Sequence, residues 1–130
     1  MKLYIISGNI AVVHYSISKD NRYINFKANP NSADCENMFS NIKADVILYG
    51  HDHNGSIVYS DDKMYINCGS LGCTSTNEGM AQGGILIIEN EKVYFRKVFA
   101  EYNLQRVLDK IDSIWYPAYK EIMEFFYGVK

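Results

Sequence analysis

The 130-residue sequence is 48% hydrophobic, 14% aromatic and 22% charged, which is enough apolar content to exclude disorder and too short a chain for two domains. Thirteen Lys and Arg against fifteen Asp and Glu leave a net charge of −2, so the basic footprint of a nucleic-acid or anionic-membrane binder is missing. The longest apolar runs, such as Val46 to Tyr49 and Ile85 to Ile88, fall far short of the roughly eighteen residues of a membrane span.

Leu3 to Ile6 and Ile10 to Val13 are β-branched runs joined by Ser7-Gly8-Asn9, which predicts a hairpin whose second strand ends at His14. The break at Ser7 also leaves no signal-peptide core, and a cytoplasmic location is the expectation. Tyr15 to Asn31 is polar and irregular, too long for a simple connection, and reads as a lid or rim loop. A short helix follows, capped by Ser32 or Asp34, with Cys35, Met38, Phe39 and Ile42 forming one apolar stripe.

Val46 to Tyr49 reads as a strand buried on both faces that runs into Gly50-His51-Asp52-His53-Asn54-Gly55. Ser56 to Tyr59 and Lys63 to Asn67, with a turn at Ser60-Asp61-Asp62, predict a second hairpin closed by Gly69-Ser70-Leu71-Gly72. A third hairpin is expected from Gly84 to Glu89 and Val93 to Val98 around Asn90-Glu91. Asn103 caps a helix whose apolar positions run from Leu104 to Trp115; Pro117 starts a last helix that stops at Gly128. Cys35, Cys68 and Cys73 are an odd count, and the last two match neither zinc-ribbon nor redox spacing, so all three are expected to be free thiols.

All three histidines, His14, His51 and His53, fall where strands end. Neutral imidazole is the commonest metal ligand, and two at i and i+2 in a glycine-bounded turn can diverge toward neighbouring sites; the alternative is three ordinary surface histidines. Asp52 between them reads as either a group that orients a ligand or the loop from behind or a solvated turn residue.

Gly50-His51-Asp52-His53 after an apolar strand, then a hairpin, then Asn67-Cys68-Gly69-Ser70-Leu71-Gly72, resembles the closing motifs of the calcineurin-like metallophosphoesterases, a GHxH block followed by N-P-G-S-x-G. His14 is similar to that family's isolated histidine, and the tail from Glu101 to Gly128 resembles the C-terminal extension of its bacterial and archaeal branch. The resemblance implies an α/β fold, specifically an α+β sandwich of sheets flanked by helices. Residues 1–130 would form a single domain, the back half of that fold, with a helical pair at about 103–127. It further implies hydrolysis of phosphate mono- or diesters at up to two divalent ions of manganese, iron or zinc. His14 and His51 would bind one ion and His53 the other; His51 would be catalytic, and Asp52, Asn67, Gly69 and Ser70 would either support the ligands from behind or form the phosphate loop.

The family pattern begins with D-x-H, G-D and G-N-H/C-D blocks, and none of them occurs in the sequence. Gly8-Asn9 is followed by Ile10 and reads as a turn rather than a relic of the third block. The expectation is a truncated or split phosphoesterase, inactive alone, which would act on a phosphate-ester substrate once completed. The alternative is a non-catalytic protein-binding module of the same fold. Sheet edges bared by the missing front half make a homo-oligomer the expected state.

Overall fold

The computed structural model describes residues 4–5 as backbone and residues 8–24, 27–61, 63–73 and 79–128. The chain is mixed α and β: seven strands in two sheets and three helices are seen among the described residues. In chain order these are β1 (Tyr4–Ile5), β2 (Ile10–Val12), α1 (Ser32–Met38), β3 (Val46–Tyr49), β4 (Ser56–Tyr59), β5 (Met64–Asn67), β6 (Met80–Glu89), β7 (Lys92–Glu101), α2 (Leu104–Ser113) and α3 (Tyr119–Tyr127). None of the helices is long and apolar enough to cross a membrane.

A four-stranded sheet has the order β2-β3-β5-β4, with β2, β3 and β5 parallel and β4 antiparallel to β5. Side chains alternate faces along a strand, and here the alternation divides the core in two. Ile47, Tyr49 and Tyr65 point to a cluster with Cys35, Met38 and Phe39 of α1 and its C-cap, and the Phe39 ring lies 4.9 Å from Tyr49 and 5.8 Å from Tyr65. Val46, Met64 and Ile66 point the other way, onto Val93, Leu86 and Phe95 of the second sheet, which has the order β1-β7-β6 and is antiparallel. The layers are therefore helix, mixed sheet and antiparallel sheet, and β3 is covered on both sides as its apolar run requires.

Several expectations are corrected. The N-terminal hairpin does not form: β1 pairs with β7 and β2 pairs in parallel with β3, so the two runs enter different sheets. Gly8 turns the chain at φ +117°, and Asn9 O accepts from the Asp45 and Val46 amides, which starts the parallel ladder instead. Leu3, Ile6 and Ser7 of that expected hairpin, and Asp62 of the next turn, lie outside the described residues.

The cap of α1 is Asn31 rather than Ser32 or Asp34; its side chain accepts from the Asp34 amide while the Asp34 carboxylate accepts from the Asn31 amide, a reciprocal pair that satisfies two free N–H groups. The third hairpin is longer than expected, ten residues on each strand, because residues 80–83 still pair in register with 98–101 although they lack an apolar alternation. Asn90 and Glu91 both take positive φ, the left-handed turn a tight hairpin needs. Asn103 does cap α2, but the helix ends at Ser113, and Trp115 falls in a left-handed turn with 80% exposure. Pro117 sits in the turn before α3 rather than at its first position, whereas Gly128 closes the helix at φ +67° as expected.

Candidate metal-binding half-site

The parallel register decides where the histidines go. Val12 pairs with Leu48, and the ladder runs on through Val13 N to Leu48 O at 2.9 Å and Gly50 N to His14 O at 2.8 Å. His14 and His51 consequently leave the carboxyl ends of adjacent parallel strands side by side, their rings 5.5 Å apart and nearly perpendicular at 87°. Asn67 ends β5 opposite Tyr49, so three parallel strand ends meet on one side of the sheet, the place where open α/β sheets bind ligands.

The 50–55 loop is held from beneath. Asn67 is fully buried; its Nδ2 donates to Asp52 O at 2.7 Å and Gly50 O at 3.5 Å, and its Oδ1 accepts from Gly69 N at 2.9 Å. One side chain thereby ties both glycine-containing loops together. Asp52 is buried and turned back on its own loop, where Oδ1 accepts from Asn54 N and Nδ2, each at 3.1 Å. Asp52 is therefore not a solvated turn residue: it is buried and holds the loop between the two flanking histidines through Asn54. His51 takes φ +76°, a left-handed conformation uncommon outside glycine that recurs at functional turns. Its ring sits 4.6 Å from Tyr15 and is stacked with Tyr23 at 6.2 Å and 9°.

Gly69 and Ser70 shape the second loop. Gly69 has φ +84°, and a Cβ there would meet Gln82 Oε1 at 2.8 Å; Gly55, at φ +67°, lies against Gly69 itself. The loops therefore close on the buried Gln82, a residue for which the sequence offers no signal. Ser70 Oγ accepts from the Cys73 and Gly72 amides, and its carbonyl accepts from Gln82 N, so it shapes its own turn.

Above these loops opens a cleft of about 530 Å³. His14, His51, His53, Asp52 and Asn54 form its floor, and Cys73 with Phe125 and Phe126 of α3 forms an apolar wall. The wall was invisible in the sequence, where Phe125 and Phe126 read as ordinary apolar members of a helix. His53 meets it directly, its ring 5.4 Å from that of Phe126. The Cys73 thiol reaches Tyr127 Oη at 3.9 Å, and burial followed by the neighbouring Cys73 pushes the Tyr127 phenol up to about 12. All three cysteines are free thiols; burial raises Cys35 to about 11 and raises Cys68 as well, which leaves neither nucleophilic near neutrality.

The donor set is incomplete for a metal. His14 and His51 are neighbours and His53 stands apart against Phe126, but among the described residues no three His, Cys, Asp or Glu side chains are placed to hold one ion. Two imidazoles for one ion and one for another do not complete either shell. A scan against models of known protein families finds no match, and a search of curated proteins finds no match either.

Proposed function

We propose that these residues form the histidine half of a metallophosphoesterase-like site, with the other half of the ligands, the carboxylates, contributed by polypeptide other than these 130 residues. The observation that carries the proposal is the meeting of the whole histidine complement in one cleft at the carboxyl ends of parallel strands, with Asn67 pinning the histidine loop to the Gly69 loop. In this reading His14 and His51 are ligands to one divalent ion, manganese, iron or zinc, and His53 to the second. Asp52 and Asn67 hold the loop, and the substrate is a phosphate mono- or diester. The metallophosphatase-like sandwich and a reducing, cytoplasmic setting, which suits the three free thiols, belong to the same proposal.

The test is calorimetric titration of zinc into the wild-type chain and into His14→Ala, His51→Ala and His53→Ala. Weak binding that falls about tenfold or more in the first two variants supports the proposal; binding unchanged in all three overturns it. Protons compete for the same imidazole nitrogens, so uptake is expected to be weaker at about pH 5.5 than at about pH 7.5.

A second reading, a non-catalytic binding module, is favoured by one feature. β6 is a ten-residue edge strand, and its sheet leaves Ile85, Ile88, Val98 and Phe99 between 40% and 51% exposed. Such an edge is a template for strand pairing, and self-association through it or through β2 gives the homo-oligomer proposed here. Sedimentation at micromolar concentration distinguishes an oligomer from a monomer.

A further inference from the structure

The apolar wall of the cleft bears on what the site would accept. Phe125 is 77% exposed at the cleft mouth, while Phe126 is 38% exposed and already carries a ring, that of His53, at 5.4 Å and 37°. Beside the floor, Tyr23, 63% exposed, lies parallel to the His51 ring at 6.2 Å. Large aromatics left in water beside a polar floor offer flat apolar surface that a planar group can cover. Among the described residues the floor contributes no Lys or Arg, and its carboxylate, Asp52, is buried and turned into its own loop, where it bonds Asn54. A volume of about 530 Å³ lies within the roughly 300–1,000 Å³ of small-molecule pockets.

We infer that Phe125 and Phe126 are specificity-determining residues that stack the planar aromatic group of a phosphate ester, whose phosphate is held over His14, His51 and His53. The inference rests on the half-site reading and adds the substrate class: esters of an aromatic or heteroaromatic alcohol, or of a nucleoside, in preference to those of a simple sugar. Stacking on aromatic side chains tolerates any π face, so the preference is for flatness and not for one base.

Saturation-transfer NMR with the zinc-supplemented chain reads this without turnover. The probes are adenosine 5′-monophosphate, ribose 5-phosphate and inorganic phosphate. The expected result is saturation of the adenine protons, with the adenosine ester binding about tenfold tighter than ribose 5-phosphate. In the double variant Phe125→Ala/Phe126→Ala that preference is expected to vanish, and in Phe125→Leu/Phe126→Leu, which keeps apolar bulk, to fall at least threefold. Equal binding of the two esters, or a Leu variant that binds like wild type, overturns the stacking role and leaves the half-site reading intact. Absence of binding by all three probes overturns both.

Discussion

Replacing Asn67 with Ala removes a side chain that hydrogen-bonds both the histidine loop and the glycine loop. The substitution leaves Asp52 O, buried and bonded at 2.7 Å, and Gly69 N, part-buried and bonded at 2.9 Å, without their partner. A stranded buried polar group costs about 1–3 kcal/mol. Two such groups, one of them partly solvated, give about 2–4 kcal/mol, or a fall in melting temperature of about 8–15 °C at this chain length. Asn67→Asp is expected to cost at least as much: it keeps the acceptor for Gly69 N but turns an oxygen toward Gly50 O and Asp52 O. Thermal and urea denaturation measure the stability, and the histidine ring resonances report whether the loop has loosened. An Asn67→Ala shift below about 2 °C with unmoved His51 and His53 signals would refute the assignment of Asn67 as the tie between the loops.

Three further outcomes are expected. Gly84→Ala puts a Cβ into the Phe95 ring, so that ring must leave its place in the inter-sheet core; the expected loss is about 1–3 kcal/mol by denaturation, and a neutral result would mean that the ring relocates freely. Burial raises Cys35 from near 9 to about 11 and Tyr65 from near 10 to about 12. The unfolded chain therefore binds fewer protons than the folded one between about pH 9 and 12, and stability should fall as pH rises through that window; a flat melting profile there would count against the buried thiol and phenol. The isolated chain with excess manganese is expected to show no turnover of chromogenic phosphate mono- or diesters, and a rate near 1 s⁻¹, typical of enzymes, would sink the incomplete-site argument.

Legibility in the sequence followed the range of the interactions. The strand from Val46, the α1 stripe as far as the C-cap Phe39 and the cap at Asn103 are written in short local patterns, and the structure keeps them, while Ile42 falls beyond the helix. The histidines could be located at strand ends for the same reason. Their convergence depended on β2 pairing in parallel with β3, a non-local choice; local β-branched runs around a Gly-Asn pair pointed instead to a hairpin with the first strand. Gln82 under the glycine loops and Phe125 and Phe126 over the cleft are likewise products of packing between segments tens of residues apart, and no local spacing encodes that. Asp52 was the closest case. Its position suggested either a group orienting a ligand or the loop from behind or a solvated turn residue, and the structure shows it buried and bonded to Asn54 of its own loop, which local spacing did not reveal.

The proposed place of a divalent ion is the histidine cleft, and paramagnetic broadening by manganese would locate an ion there directly. Substoichiometric manganese added to the isotopically labelled chain should broaden the amide and ring resonances of His14 and of Gly50 to Asn54 first, those at the far end of the sheet near Ser60 and Lys63 last, and the pattern should be lost in His14→Ala/His51→Ala. Broadening centred elsewhere, or unchanged in that double variant, would contradict the claim.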